Sequence, residues 1–180
     1  MRMRETEIAG VRVVEAEPIL DRRGWFARAW DREEFAAAGL EIEWVQANAG
    51  YSERAGTLRG LHYQRDPWGE HKLVWCTRGA VFDVAVDLRP DSPTVGGWTA
   101  IELTAGHGRS LLIPPGCAHG YLTTEDSTEL FYLTSRPYVP AAATGVRHDD
   151  PAFGIRWPRT VEVVSDRDAS WPAWKAPLRT

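Results

Sequence analysis

Two residues whose types could do chemistry lie three apart in this chain, Arg59 and His62, within the run Leu58-Arg59-Gly60-Leu61-His62-Tyr63-Gln64. An imidazole titrates near neutral pH and can take up and release protons. A guanidinium beside it can hold an anion through paired N–H groups. On an ideal strand, positions 59 and 62 face opposite sides. Gly60 can resolve this, because a glycine inside a strand often marks a bulge that re-aims its neighbours. If both side chains face one lumen, an anion-binding cation sits beside a proton carrier. Spacing alone leaves His62 open between a core histidine and a catalytic one.

Other candidates lie downstream. In Thr128-Glu129-Leu130-Phe131-Tyr132, residues 128, 130 and 132 share one strand face, and the phenol either donates a proton into a lumen or caps the core. Arg22, Arg23, Arg54, Arg59 and Lys72 are enough cationic groups for a small anion such as a diphosphate. Pro114-Pro115-Gly116-Cys117-Ala118-His119 fits the Pro-x-Gly-x-x-His pattern of the second cupin motif, in which a tight turn aims the histidine into a barrel. Metal-binding cupins pair that histidine with a His-x-His in the first motif. Here Gln64 stands at the second of those positions, so a metal set of His62, His71, His119 and Glu70 lacks a ligand and is kept only as an alternative.

The elements that must position these groups are short strands. Apolar alternation with turn residues between predicts strands at residues 11–16, 24–30, 41–49, 57–64, 72–77, 80–88, 98–103, 110–113, 119–123 and 127–135. About ten such strands predict an all-β jelly-roll barrel. The one clear helix is residues 32–38, with Asp31 as N-cap, Glu34 at the capping-box position and Gly39 closing it. After Arg136 the prolines at 137, 140, 151, 158 and 172 break any long element. Residues 137–180 are therefore read as an irregular tail that Trp157, Trp171 and Trp174 anchor to the barrel, within a single domain spanning 1–180.

Bulk properties exclude several classes. With 180 residues, 43% of them apolar and 26% charged, the chain reads as a globular domain large enough to close a core without staples. A net charge of −4 argues against a nucleic-acid partner. The first residues carry no apolar run, so no signal peptide or membrane anchor is expected, and Cys76 and Cys117 read as buried free thiols in a reducing cytoplasm.

Taken together, these segments resemble the dTDP-4-dehydrorhamnose 3,5-epimerase family of cupin-fold nucleotide-sugar epimerases. The resemblance runs through Asp21-Arg-Arg-Gly-Trp-Phe26, Val45-Gln-Ala-Asn48, Leu58 to Gln64, Lys72-Leu-Val74, Arg78 to Arg89, Ser92-Pro-Thr94, Ile113 to Gly120, Asp149-Asp-Pro151 and Ser165-Asp-Arg-Asp168. It implies a cupin-type jelly roll with a few short helices, and epimerisation of a dTDP-4-keto-6-deoxyhexose at C3 and C5, or at C3 alone. His62 would be the base, Tyr132 the acid, Lys72 the cation near the enolate oxygen, and Asp168 the carboxylate that orients His62, with Asp83 in reserve. Arg23, Gln46, Asn48, Arg59, His119 and Arg167 would contact substrate, and Tyr138 would stack on the base. No metal and no cofactor is implied. Similar proteins exchange N-terminal strands in a homodimer, which would let Arg23 complete the partner's site. The sequence departs from the family pattern at Arg28 and Ala143, where glutamates are common, and at Leu133, where lysine is usual. The first two leave the nucleotide base open, so a metal-dependent cupin enzyme and a non-catalytic sugar-nucleotide-binding module stand as alternatives.

Overall fold

The computed structural model describes residues 1–176. Its strands are β1 (Arg2–Glu5), β2 (Arg12–Glu15), β3 (Ile19–Asp21), β4 (Gly24–Phe26), β5 (Gln46–Ser52), β6 (Leu58–Gln64), β7 (Lys72–Arg78), β8 (Ala80–Asp87), β9 (Trp98–Thr104), β10 (Arg109–Ile113), β11 (Cys117–Thr123), β12 (Thr128–Thr134) and β13 (Ala143–Gly145). The helices are α1 (Arg32–Ala37) and α2 (Asp166–Ala169). One antiparallel sheet has the order β1-β2-β10-β7-β12-β5, a second has the order β13-β6-β11-β8-β9, and β3 pairs with β4 alone. The first two sheets face each other and form the expected all-β, cupin-type jelly roll.

Between the sheets lies an apolar core in which Val74, Leu111, Ile113 and Leu130 of the first sheet meet Val81, Ala85, Leu103 and Cys117 of the second. Both sheets are also covered on their outer faces, which is why β8 and β11 are buried at nearly every position instead of alternating. Phe35 of α1, with Trp30 and Trp44, packs over Leu73, Leu112 and Leu133 outside the first sheet. Outside the second sheet, Phe153, Trp157 and Trp174 pack with Val84, Val86 and Val146. The two cysteines are free and buried, and burial pushes the Cys76 thiol up to about 11 and the Cys117 thiol up to about 12.

Several boundaries differ from the sequence reading. The strand expected over 41–49 begins only at Gln46, because Ile42 and Trp44 bury their side chains against the α1 side of the sheet without backbone pairing. The strand expected over 24–30 ends at Phe26, and β1, β3 and β13 were not anticipated. Asp31 caps α1 by accepting from the Glu33 and Glu34 N–H groups. The Glu34 carboxylate does not complete a capping box; it pairs with the Met1 amino group at 2.8 Å. The segment read as an irregular tail contains β13 and α2, and its last residues, 177–180, lie outside the described residues.

Two local devices aim side chains at one end of the barrel. In the pairing of β6 with β11, His62 lies opposite His119 while Arg59 lies opposite Tyr121, so β6 carries one extra residue between them. This is a bulge. Gly60 within it has φ +132°, and a Cβ there would lie 2.5 Å from the Gly120 Cα, so only glycine fits. The second device is Asp87 at the end of β8, which accepts from the Arg89 guanidinium, Ser92 and Thr94. Arg89 in turn packs where a Cβ on Gly116 would sit, 2.5 Å from its Cγ. The turn that launches β11, and with it His119, is thereby tied to the end of β8.

Burial alone would push the Asp87 carboxyl up, but its hydrogen bonds from Arg89, Ser92 and Thr94 outweigh that and lower it from 3.8 to about 2. A depressed folded-state value means that the stabilisation is complete above about pH 4 and is lost as pH falls towards 2. Asp87→Asn is therefore expected to lose about 2 kcal/mol of unfolding free energy at pH 7. Denaturant titrations of both proteins should show that gap closing towards pH 2; a gap independent of pH would contradict the assignment.

Candidate active site

A cavity of about 530 Å³ opens between the two sheets at the end carrying His62. That volume suits a small-molecule ligand. It is lined by both walls: Gln46 and Asn48 of β5, Lys72 of β7 and Tyr132 of β12 from the first sheet, and Arg59 and His62 of β6 and His119 of β11 from the second. Asp168 and Arg167 of α2, with Tyr138 from the segment after β12, close its rim.

His62 is held by a carboxylate 106 residues away in the chain. Its Nε2 lies 2.6 Å from Asp168 Oδ1. Asp168 also accepts from the Gly60 N–H at 3.1 Å and from the Trp171 indole at 3.2 Å. Burial pushes the Asp168 carboxyl up, but the hydrogen bond and charge of His62, with the Gly60 and Trp171 donors, hold it below the usual aspartate value. A charged carboxylate therefore faces one ring nitrogen, while the imidazole remains 42% exposed towards the cavity. This is the arrangement in which a histidine is oriented as a base and its cationic form is stabilised. The Trp171 ring packs edge-on against His62 at 6.0 Å, and it fits because residue 145 is glycine, whose Cβ position lies 2.6 Å from the indole.

A second His-carboxylate pair stands on the neighbouring strands. His119 Nε2 lies 2.7 Å from Asp83 Oδ1, and Asp83 is fully buried. Asp83, the reserve candidate for orienting His62, therefore serves His119 instead. The register explains the split: Asp83 on β8 pairs with Tyr121 on β11, on the far side of that strand from β6.

On the opposite wall, burial pushes the Tyr132 phenol up, and the Arg59 guanidinium only partly offsets this. Tyr132 is consequently protonated at neutral pH and able to donate. The Lys72 ammonium lies 3.2 Å from the His62 carbonyl oxygen and 3.2 Å from Glu70 Oε1. Arg59 donates to the Tyr51 carbonyl at 2.8 Å and to the Ser52 hydroxyl at 3.3 Å, which fixes its guanidinium across the sheet gap. The Gln46 amide donates to Asn48 at 2.8 Å and accepts from the Tyr138 N–H at 3.1 Å. Arg167 lies over the Trp171 ring at 5.2 Å and donates to the Tyr138 hydroxyl at 3.4 Å.

Ten of the eleven residues singled out from sequence line this cavity. Arg23 does not. It sits exposed at the tip of the β3–β4 hairpin, paired with Asp21 at 2.5 Å. Arg28 is likewise held at the surface by Asp31, Ala143 lies on the cavity rim, and Leu133 points into the outer cluster with α1. Among further lining residues, Thr134 and Arg136 continue the alternate face of Tyr132 and were not anticipated, while Gln64 and Glu70 had been weighed only at metal-ligand positions. Gln64 is satisfied by backbone: it donates to the Trp68 and Pro137 carbonyls and accepts from the Val139 N–H. His71 does not line the cavity, and no three His, Cys, Asp or Glu side chains gather as a metal cage among the described residues.

Comparison with known proteins gives the same reading. Residues 5–176 match the family model described as dTDP-4-dehydrorhamnose 3,5-epimerase. A dTDP-4-dehydrorhamnose 3,5-epimerase of Sinorhizobium fredii is 40% identical over 174 residues, covering 96% of this chain and 89% of that protein. A dTDP-4-dehydrorhamnose 3-epimerase of Streptomyces niveus is also 40% identical, covering 93% and 81%. The crystal structure of the dTDP-4-dehydrorhamnose 3,5-epimerase of Bacillus anthracis with TDP and PPi bound superimposes with a TM-score of 0.93 at 36% identity, covering 96% and 99%. An isomerase fold and a shared sequence along nearly the whole length thus converge, and the chain belongs to the dTDP-4-dehydrorhamnose 3,5-epimerase family.

Proposed function

We propose that the chain epimerises a dTDP-4-keto-6-deoxyhexose at C3 and C5, or at C3 alone, in deoxysugar biosynthesis, with His62 as base and Tyr132 as acid. One observation carries this reading: His62 and Tyr132 rise from opposing sheets of one cavity, so a sugar ring between them meets a base on one face and an acid on the other. Inverting a carbon requires that geometry.

The chemistry follows from the ketone. A carbonyl at C4 acidifies the hydrogens on its neighbouring carbons. His62 takes one of them, the C–H electron pair moves into the ring, and the carbonyl oxygen becomes an enolate oxygen. Asp168 stabilises the imidazolium that results, and the Lys72 ammonium stabilises the enolate oxygen in a site sheltered from water. Tyr132 then delivers its proton to the opposite face of the same carbon. The two groups reset by exchanging a proton with water. The diphosphate is assigned to Arg59 and Arg167, with Gln46, Asn48 and His119 holding sugar or nucleotide hydroxyls and Tyr138, 53% exposed at the rim, stacking on the base. The departures at Arg28 and Ala143 lie outside the proton-transfer set. None of these steps calls for a metal or a cofactor. We assign the reaction to the cytoplasm on the two free, buried cysteines, which suit a reducing compartment.

Solvent deuterium tests this directly. Incubating the protein with a dTDP-4-keto-6-deoxy sugar in D2O should place deuterium at two carbons for a 3,5-epimerase and at one for a 3-epimerase. No exchange by folded protein on any nucleotide-linked keto-sugar would sink the proposal. His62→Ala should reduce exchange by about 10²–10⁴-fold, the usual contribution of a general base. Tyr132→Phe should slow product formation more than it slows exchange at the carbon His62 attacks.

We also propose a homodimer. The β3–β4 hairpin carries Ile19, Leu20, Trp25 and Phe26, exposed by 69, 77, 57 and 66%. Four large apolar side chains in so short a hairpin ask for a partner. The edge strand of the six-stranded sheet on the cavity side is β5, which carries Gln46 and Asn48; β1 forms the other edge. A hairpin exchanged onto that edge by a second copy would bring the partner's Arg23 to the cavity, which accounts for its absence there in one chain. Light scattering should give the mass of two chains, and Leu20→Asp should shift it towards one; a monomeric parent protein at working concentration would contradict the exchange.

A further inference from the structure

One group at the cavity has no part in the mechanism above. Glu70 lies just before β7, two residues from Lys72, so the extended chain puts both on the same side while His71 faces away. Gly69 seats this segment on the turn before β11, since a Cβ there would lie 3.2 Å from the Pro115 Cβ. Glu70 is 8% exposed. Its Oε1 meets the Lys72 ammonium at 3.2 Å, while its Oε2 is buried without a hydrogen-bond partner among the described residues. Taking a carboxylate out of water with half of its acceptors unused is costly, and a neutral glutamine could accept from Lys72 at lower cost. The charge itself therefore needs a use.

We propose that Glu70 is a positioning residue for the epimerisation, which clamps Lys72 in place and sets its negative charge against the Tyr132 side of the cavity, so that the phenol stays the proton donor. This rests on the roles assigned to Lys72 and Tyr132 in the proposed function. The ammonium has three N–H donors. Glu70 and the His62 carbonyl take two, which directs the third into the cavity. Around the phenol the charges are opposed. Arg59 of β6 favours a phenolate, Lys72, Arg136 and Arg167 are further cations of the cavity lining, and on β11 the Tyr121 phenol is itself raised by burial and by Tyr132. His62 and His119 each have one ring nitrogen, Nε2, engaged with a carboxylate, that of Asp168 and that of Asp83 respectively. Glu70 supplies the negative charge on the Tyr132 side, and its field adds to burial in raising the phenol. Without it, Arg59 would act on the acid with less to balance it.

The test is Glu70→Gln, which keeps the shape and an acceptor for Lys72 but removes the charge, beside Glu70→Asp, which keeps the charge on a shorter stem. With ring-labelled tyrosine, carbon NMR follows the Tyr132 phenol directly, its signal assigned by Tyr132→Phe. In Glu70→Gln the phenol should titrate at lower pH than in the parent, and the alkaline limb of the kcat profile should move down with it. At neutral pH kcat should fall about tenfold with KM changed less than about twofold, as expected for loss of a transition-state interaction. Glu70→Asp should restore part of both shifts. A Tyr132 titration and an alkaline limb that coincide with those of the parent would overturn the proposal, whatever happens to kcat. If the parent turns over no keto-sugar, the functional reading fails, and the phenol titration still decides the role of Glu70.

Discussion

Asp168 accepts hydrogen bonds from His62, from the Gly60 N–H and from Trp171, and those three bonds join the parts of the molecule that matter for its chemistry. His62 is the base in the proposed function, Gly60 is the bulge that aims it, and Trp171 belongs to the C-terminal segment. A buried carboxylate is tolerated only when its lone pairs are used. Here they are used by donors from β6 and from beyond α2, so the carboxylate that orients the imidazole also fastens the C-terminal segment to the barrel. α2 has only four residues and would not persist alone. Its place is set by Ser165, which caps it by accepting from the Asp168 N–H, and by Trp171 seated over Gly145.

The bulge is the second half of the same constraint. A regular β6 would send Arg59 and His62 to opposite faces, one of them into the apolar cluster beneath the C-terminal segment. The extra residue at Gly60 turns both inward, and the close approach of Gly60 to Gly120 leaves no room for a side chain on either strand. The bulge N–H left out of the ladder is the one that Asp168 accepts. Backbone irregularity and buried carboxylate thus satisfy each other, which is why His62 sits in a strand that otherwise pairs normally with β11.

Much of this was legible in the residues. The face shared by residues 128, 130 and 132 put Tyr132 forward, and Gly60 between Arg59 and His62 signalled the bulge, while the roles of His62, Lys72 and Tyr132 came from the resemblance. The jelly roll followed from the number and spacing of short strands. What stayed hidden has physical reasons. Asp168 lies 106 residues from His62, and no local pattern reports so distant a contact; only the resemblance suggested it. α2 is too short and too surrounded by prolines to show a helical period, although Ser165 three residues before Asp168 is a capping spacing. Residues 41–45 alternate like a strand because Ile42 and Trp44 both turn to the α1 cluster, and apolar period does not require backbone pairing. Glu70 read as a spare metal ligand because its lysine partner two residues on gave no sign of which charge it served. Arg23 was read as a site residue from its motif, yet a single chain leaves it exposed at a hairpin tip.

Each wall of the barrel divides its inward face between two tasks. On β7 the inward positions run from Cys76 and Val74 in the core to Lys72 in the cavity. On β12 they run from Leu130 in the core to Tyr132 and Thr134 in the cavity. The switch from apolar to polar along one face is what leaves space at one end and fills it at the other. Because a one-residue shift in register would carry every inward side chain to the outside, the core that fixes the register also fixes the reacting groups. Change is then easiest where neither core nor register is involved, at the rim built by β13, α2 and the segment carrying Tyr138. That is where Ala143 departs from the family pattern while the residues assigned to proton transfer are kept in the barrel wall, and it is where the cavity rim can vary without disturbing His62 and Tyr132.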